Sequence, residues 1–270
     1  MTATDETMDS ATTEETVWYH TLDLPAGPTP GLYDLRKVVG KLPWPDLRGL
    51  RCLDVGSRNG FLAFEMERRG AAEVVALDID DPADIDFAAY RPRHGFDQQD
   101  LDNGSRAYEL AARALRSKVR RHALSVYRLT PDAVGTFDFA IIGTLLLHLR
   151  DPVGALGSLR KVVTGNLIVN EAVTPSLDLF RRRPVAEALM YPGMPFWWLA
   201  NPSGLRTIVA AGGFEVIDTG GPYLLPNGAG APKRTLRDCF TMPVRDIPRN
   251  LVKLRGDPHY WLLARPGREE

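Results

Sequence analysis

The run RCLDVGSRNGFLAFEMERRGAAEVVALDI, residues 51–79, specifies the fold class more clearly than any other part of the chain. It opens with a compact apolar strand, Arg51–Val55, and turns through a glycine-containing loop at residues 56–60. A helical pattern of apolar residues follows until Gly70, and Glu73–Ile79 is a second apolar strand. Strand, glycine turn, helix and strand within about thirty residues make a βαβ unit. This unit predicts a parallel sheet with a right-handed crossover.

Strands and helices continue to alternate along most of the chain. The predicted helices are Arg106–Arg121, Val153–Val163 and Ser203–Ala211, and the predicted strands are Leu124–Tyr127, Phe137–Gly143, Asn166–Val173, Phe214–Asp218 and His259–Arg265. The polar stretch Asp80–Ser105 is expected to be a long loop. We therefore predict an α/β fold of the Rossmann-like kind, a three-layer sandwich with a mostly parallel sheet.

The segments outside this alternation suggest the domain organisation. Residues 1–16 are acidic and rich in hydroxyl groups, and we expect a disordered tail there. Residues 17–48 are rich in aromatics and prolines and are expected to form an N-terminal extension or lid, with one short helix near residues 33–42. The main domain is expected to cover residues 49–270, with a cap insertion at about 174–202.

Composition and charge restrict the classes of partner. The chain has 270 residues, 33 Lys plus Arg, 34 Asp plus Glu and a formal net charge of -1, so no overall field attracts nucleic acid or a membrane surface. The two cysteines, Cys52 and Cys239, form neither a disulfide framework nor a metal knuckle. The longest apolar stretch, Phe139–Leu149, is shorter than the ~20 residues that span a bilayer. We expect a cytoplasmic, soluble protein, and its oligomeric state stays open.

The ends of the first two strands predict a nucleoside site. Ligands of open parallel sheets bind outside the carboxyl ends of the strands. Asp54 and Gly56 end the first strand, and Asp78, 24 positions after Asp54, can meet the hydroxyls of a ribose. The loop from Gly56 to Gly60 is G-x-x-x-G rather than G-x-G-x-x-G, and Asp54 would repel a phosphate. A cationic ligand without phosphates, such as S-adenosylmethionine (SAM), fits this pattern better than a dinucleotide.

The same residues carry a family resemblance. The run LDVGSRNGFLAFEMERRGAAEVVALDI resembles the first two SAM motifs of class I methyltransferases. The runs WYHTLDL, TPGLYDLR, RSKVRRHALSVYRL and GTFDFAIIGTLLLHLRDPVGALGSLRKV resemble the group that includes the wobble-uridine tRNA carboxymethyltransferase. The similarity spans most of residues 17–220.

This resemblance implies a role for each loop at the sheet edge. The loop around Gly56 would hold the methionine moiety, Asp78 the ribose, the segment Ser125–Tyr127 the adenine, and Gly143–Leu145 the amino acid portion. The full expected cofactor set is Asp54, Gly56, Ser57, Asn59, Gly60, Phe61, Asp78, Ile79, Ser125, Val126, Tyr127, Gly143, Thr144 and Leu145. The chain departs from the family pattern at Arg128, where the related pattern often has an acid.

Three residues are candidates for the catalytic base. His148 follows the strand that ends at Gly143, and its ordinary pKa of about 6.5 suits a base at neutral pH. A hydrogen bond to the next helix is its alternative role. His20 in the extension could face the cofactor or staple the extension to the core. Glu171 ends a strand at the same edge, and it could orient a histidine, bind an acceptor hydroxyl, or act only as a buried cap.

Aromatic and basic residues outside the sheet could bind the acceptor. The candidates are Trp18, Tyr33, Arg36, Tyr191, Trp197 and Trp198. The same aromatics could instead form the core of a cap. A basic cluster at residues 113–121 could contact phosphates or form a solvated helix face. No motif demands a metal, although the sequence leaves a loosely assembled Mg site open.

The sequence therefore predicts a SAM-dependent enzyme that O-methylates a small molecule or saccharide, with His148 as the base. Modification of a tRNA wobble uridine is the alternative that the family resemblance suggests. A SAM-binding protein without turnover is the non-enzymatic alternative.

Overall fold

The computed structural model describes residues 16–86, 98–174, 183–189, 196–233, 235–237 and 251–268. The strands are β1 (Asp23–Leu24), β2 (Gly27–Pro28), β3 (Arg51–Val55), β4 (Glu73–Asp78), β5 (Arg120–Ala123), β6 (Phe137–Gly143), β7 (Val163–Ala172), β8 (Ala186–Ala188), β9 (Trp198–Ala200), β10 (Phe214–Leu225) and β11 (Asp257–Pro266). The helices are α1 (Phe61–Arg68), α2 (Gln98–Ala114), α3 (Pro131–Val134), α4 (Pro152–Arg160) and α5 (Pro202–Ala211). Short 3-10 turns lie at Leu35–Lys37, Val39–Lys41, Pro82–Asp84, Val126–Arg128 and Leu146–His148.

Seven strands form one sheet in the order β10-β11-β7-β6-β3-β4-β5. Strands β3 to β7 pair in parallel, whereas β11 runs antiparallel to both β7 and β10. The carboxyl ends of the parallel strands and the amino end of β11 therefore lie at the same edge. The strand order reverses between β3 and β6, which is where ligands bind in open α/β sheets. The predicted α/β class with a mostly parallel sheet is confirmed.

Alternate residues of the central strands pack on opposite faces of the sheet. Leu53 and Val55 of β3 belong to a core that includes side chains of α4 and α5. Cys52, one position before Leu53 and on the opposite face of the sheet, belongs to a second core with side chains of α1, α2 and the N-terminal extension. Helices cover both faces, as the predicted three-layer sandwich requires.

The two central strands predicted at Arg51–Val55 and Phe137–Gly143 have those bounds in the structure. The strand predicted at Leu124–Tyr127 is wrong, because β5 lies at Arg120–Ala123 and a 3-10 turn follows at Val126–Arg128. Among the described residues, β5 is an edge strand that pairs only with β4, so it can be polar and carries no apolar pattern.

Two predicted helices also differ from the structure. The helix expected near residues 33–42 is replaced by two 3-10 turns, since Gly40 and Pro43 leave no room for a longer helix. Helix α2 begins at Gln98, within the segment predicted to be a loop, and ends at Ala114 rather than Arg121. Its first turn carries Asp100, whose negative charge interacts favourably with the positive end of the helix dipole. The tail expected at residues 1–16 lies outside the described residues, apart from Thr16.

The N-terminal extension is packed into the second core. Trp18 is only 1% exposed, and Leu22, Leu24 and Leu35 are buried beside it in the same cluster. The hairpin of β1 and β2 adds a short antiparallel pair to this segment. The extension is therefore part of the folded domain, and it brings the residues next to Trp18 to the edge of the sheet.

Candidate functional site

Two adjoining cavities lie at the carboxyl edge of the sheet, where the strand order reverses. The small cavity has a volume of about 170 Å³ and lies along the end of β4 and the turn after β5. The large cavity has a volume of about 530 Å³ and lies over the ends of β6 and β7 and the start of β11. Both are lined by Tyr19, His20, Gly56, Gly143, Thr144 and His148. A ligand that enters both cavities must therefore pass the ends of β3 and β6.

The glycine loop after β3 is shaped by a left-handed residue. Gly56 has a φ of +77°, and a Cβ at this position would lie 3.1 Å from the side chain of Leu145. Only glycine adopts this conformation without strain and leaves the boundary between the cavities open. The backbone N–H groups of Gly56 and Ser57 both donate to the carbonyl of Leu77, which ties the loop to β4.

Asp78 at the end of β4 lines the small cavity and braces the same loop. Its Oδ2 accepts the backbone N–H of Arg58 at 2.6 Å, and its Oδ1 accepts the N–H of Ile79 at 2.8 Å. Each carboxylate oxygen can accept a second hydrogen bond. Asp78 therefore has acceptor capacity left for a ligand in the small cavity, and its contact with ribose hydroxyls stays a prediction.

The far end of the small cavity is mainly apolar and suits a flat ring. Val126 and Tyr127 line it from the turn after β5, and the Tyr127 hydroxyl donates to Asp86 at 2.7 Å. Asp84 and Asp86 also line this end, and Asp84 is paired with Arg128.

Asp54 and Ser57 provide polar groups where the methionine end of SAM is expected. Asp54 is buried, lines the large cavity and accepts the N–H of Ala63 at 3.0 Å. Burial raises the pKa of its carboxyl to about 8. The buried Ser57 hydroxyl has no hydrogen-bond partner among the described residues. An acid and an unsatisfied hydroxyl fit the ammonium and carboxylate groups of an amino acid moiety.

Three residues of the expected cofactor set do not line either cavity. Asn59 instead holds His20, because its Nδ2 donates to the His20 carbonyl at 2.8 Å and its Oδ1 accepts the His20 backbone N–H at 3.2 Å. Gly60 has a φ of +86° and precedes α1, where a Cβ would collide with Phe64. Phe61 is buried in the core. The other eleven residues of that set line one or both cavities.

The three candidate bases occupy different environments. His148 lies in the 3-10 turn after β6, lines both cavities and contacts the ring of Phe196 at a centroid distance of 5.2 Å. Glu171 is 2% exposed and lines neither cavity. Its Oε1 accepts the N–H groups of Leu145 at 2.7 Å and Leu146 at 2.8 Å, so it caps the turn that carries His148. Burial raises the pKa of Glu171 to about 8.

His20 also lines both cavities. Its Nδ1 lies 3.0 Å from Asn59 Oδ1, and an amide oxygen can only accept, so Nδ1 carries the proton. Nε2 therefore keeps its lone pair. Burial lowers the pKa of His20 to about 3, which keeps the ring neutral.

The acceptor candidates divide into one cavity residue and several structural ones. Tyr33 lines the large cavity, whereas Trp18 is in the core and Arg36 is paired with Asp23 and Asp34. Trp197 and Trp198 line neither cavity, and their indole N–H groups donate to the carbonyls of Asp86 and Arg150 respectively. Tyr191 lies outside the described residues.

Sequence reasoning missed a polar group at the start of β11. His259 is 1% exposed, and its Nε2 lies 3.0 Å from the hydroxyl of Thr144. Its Nδ1 lies 2.9 Å from the backbone carbonyl of Asp257. Because a carbonyl oxygen can only accept, Nδ1 carries the proton of the neutral ring. Nε2 is then an acceptor, and the Thr144 hydroxyl donates to it. Burial lowers the pKa of His259 and keeps the ring neutral. Thr144 has a φ of +53°, a conformation that is rare for a β-branched residue.

Several charges that could have bound metal or phosphate have protein partners. In the basic cluster, Arg120 pairs with Glu73 and Arg121 pairs with Asp80. Among the described residues, no group of three His, Cys, Asp or Glu side chains is arranged to hold a metal ion. Within the same residues, no helix is long and apolar enough to cross a membrane.

Comparisons with known proteins identify the family of the chain. A family model described as a methyltransferase domain matches residues 31–219. No curated protein sequence matches the chain. The [4+2]-cyclase SpnF has a similar structure, with a TM-score of 0.53 and 16% identity over 82% of this chain and 76% of that one. The 1,6-didemethyltoxoflavin-N1-methyltransferase of Burkholderia thailandensis gives a TM-score of 0.49 and 14% identity over 82% of this chain and 72% of that one.

Proposed function

Since the chain belongs to the methyltransferase-domain family and is a SAM-dependent methyltransferase, we propose that it O-methylates a hydroxyl group of a small molecule. The observation that carries this proposal is the large cavity of about 530 Å³, which adjoins the small cavity at Gly56 and Gly143. Its volume lies within the range of about 300 to 1,000 Å³ that is common for small-molecule sites.

The small cavity and the edge of the large one suit the methyl donor. Asp78 would bind the ribose hydroxyls, the turn at Val126–Arg128 would contact the adenine, and Asp54 would face the ammonium group. Bound SAM supplies an activated methyl group on its sulfonium. What the protein must add is alignment of the acceptor and removal of its proton.

His148 is the proposed base because it lines both cavities at their boundary. A neutral imidazole can accept the proton that an acceptor hydroxyl loses as its oxygen bonds to the methyl carbon. Glu171 supports this role from behind, because it holds the backbone of the turn that ends at His148. Glu171 is thus a positioning residue rather than a group that contacts the acceptor.

The proposal is tested by incubating the protein with methyl-labelled SAM and a fractionated cell extract. We expect label in a low-molecular-weight product as an ether-linked methyl group. The Asp78→Ala variant should lose this labelling, while Asp46→Ala, an exposed acid paired with Arg48, should keep it. Label in RNA or protein, or on nitrogen or carbon of a small molecule, would contradict the proposal.

The structural neighbours show why this experiment must identify the product. SpnF shares the fold and is named as a [4+2]-cyclase, and the Burkholderia thailandensis protein is named as an N-methyltransferase. One fold therefore carries different reactions, and the acceptor atom depends on the cavity of each protein.

A further inference from the structure

We propose that the acceptor is an elongated, mostly apolar molecule with a hydrogen-bonding group at each end. This inference rests on the proposed function and specifies the class of acceptor. The first polar group would be methylated beside Thr144 and Asn170, and the second would bind the hydroxyl of Thr174 at the opposite end of the large cavity.

One wall of the large cavity is formed by β7 and the residues that follow it. Asn170 and Ala172 line this cavity from the same face of β7, and Val173 and Thr174 line it from the chain directly after the strand. Four residues of fully extended chain span about 13 Å, so Asn170 and Thr174 can be separated by up to roughly the length of two rings. The small side chain of Ala172 leaves room along the wall between them.

Asn170 lies at the donor end of this wall. Gly143 of β6 is the register partner of Asn170 in β7. The carbonyl of Asn170 accepts the N–H of Thr144 at 2.8 Å. The amide Oδ1 of Asn170 accepts the Tyr223 hydroxyl at 2.6 Å, which fixes the amide and leaves its NH₂ group as a donor. An acceptor oxygen beside the methyl donor can therefore be held by this amide.

Thr174 provides an unsatisfied polar group at the other end. It is 7% exposed, it lines the large cavity, and its hydroxyl has no hydrogen-bond partner among the described residues. Its backbone N–H donates to the carbonyl of Ala200 at 3.0 Å, which fixes its position against β9. A buried hydroxyl without a partner is costly unless a ligand or water satisfies it.

The lining surface of the large cavity is mainly apolar. The side chains that line it from other elements include Leu32, Leu35, Leu147, Phe196, Leu199 and Leu225. The charged residues Lys253 and Asp257, which also line the cavity, form an ion pair at 3.5 Å. A saccharide would bring many hydroxyls against this apolar surface without partners, whereas an apolar body would be favoured there.

Three probes of similar length test this arrangement in calorimetric titrations of protein saturated with S-adenosylhomocysteine. They are 4,4′-biphenol, with a hydroxyl at each end, 4-phenylphenol, with one hydroxyl, and cellobiose, a disaccharide. We expect 4,4′-biphenol to bind about tenfold or more tightly than cellobiose. Thr174→Val should weaken its binding about three- to tenfold and change 4-phenylphenol binding by less than about twofold.

Thr207→Val on the exposed face of α5 is the matched control and should leave all three affinities unchanged. Cellobiose binding as tight as that of 4,4′-biphenol, or unchanged 4,4′-biphenol binding in Thr174→Val, would overturn the proposal. Equal weakening of both phenols in that variant would contradict the two-ended arrangement. If any of these results is found while the protein still binds S-adenosylhomocysteine, only the proposed acceptor class is overturned and the proposed function stands. Failure of the protein to bind S-adenosylhomocysteine would overturn both the acceptor class and the proposed function.

Discussion

The hydroxyl of Thr144 donates its hydrogen bond to Nε2 of His259, across 115 positions of sequence. The pair joins the end of β6 to the start of the antiparallel strand β11. It holds Thr144, which lies between the two cavities, in a left-handed conformation.

Removing the Thr144 hydroxyl should destabilise the fold. Thr144→Val keeps the shape of the side chain but leaves the buried Nε2 of His259 without a donor, at a cost of about 1 to 3 kcal/mol in the free energy of unfolding. Thr144→Ser keeps the hydroxyl and should stay near the wild type. Urea denaturation of both variants measures the difference. Equal stability of the two would show that the hydrogen bond contributes nothing.

Asp78→Ala should weaken binding of S-adenosylhomocysteine by roughly 1.5 to 3 kcal/mol, because charge-assisted hydrogen bonds to the ribose are lost. The variant also removes the acceptor of the Arg58 N–H, so the glycine loop should become less ordered. Calorimetry gives the affinity, and a thermal melt verifies that the variant is folded. Unchanged affinity in a folded protein would remove Asp78 from the site.

The local sequence could predict the part of the site that contains Asp78. Strand β3, the glycine loop and β4 are contiguous in sequence, so their spacing alone brings Asp54, Gly56 and Asp78 to one edge. His259 was missed because its strand runs antiparallel. Its first residues, rather than its last, therefore reach the ligand edge, and no local pattern records that direction.

Asn59 shows the opposite error. Its place in the glycine loop suggests a cofactor ligand, yet its side chain forms hydrogen bonds with His20, which lies 39 positions earlier in the sequence. Such pairing depends on the extension folding over the sheet. It can be recognised only in three dimensions.

Ligand binding should release protons near pH 7. Burial raises the pKa of Asp54 to about 8, so its carboxyl holds a proton in the free protein, and the ammonium of S-adenosylhomocysteine should favour the ionised form. Affinity should therefore rise as pH increases toward 8. Titrations in phosphate and Tris buffers measure the released protons. Asp54→Asn should abolish the release, while Glu171→Gln, outside both cavities, should retain it.

The same two carboxyls should make the free protein less stable at higher pH. Asp54 and Glu171 both have a pKa raised to about 8 by burial, against about 4 in an unfolded chain. Between these values the unfolded chain releases protons that the folded state retains, so stability falls as pH rises from about 4 to 8. A smaller decline is expected in Asp54→Asn, and an unchanged slope would contradict this assignment.

Deletions test the N-terminal extension. Removing residues 1–14 should leave activity intact, whereas removal through Leu24 should reduce it strongly. The longer deletion takes away Trp18 from the core and Tyr19 and His20 from both cavities. Methyl transfer and thermal stability of both truncations are the measurements. Equal activity would show that the aromatic segment is dispensable for the site.

His148→Ala should slow methyl transfer by about a hundredfold or more while changing affinity for S-adenosylhomocysteine little, as expected for loss of a general base. His122→Ala on the edge strand β5 is the matched control and should retain activity, because His122 lines neither cavity. In the wild type, kcat/KM for the acceptor, measured at saturating SAM, should fall as pH drops through the pKa of the base, since a protonated imidazole cannot accept a proton.

That acidic limb is the feature that separates a base from a structural histidine. It should disappear in His148→Ala, because the group that titrates is gone. Near-normal turnover with the same limb would place the base elsewhere, and His20, whose Nε2 keeps its lone pair, would be tested next. Joint loss of cofactor binding and thermal stability would assign His148 to the packing of its turn against Phe196 instead.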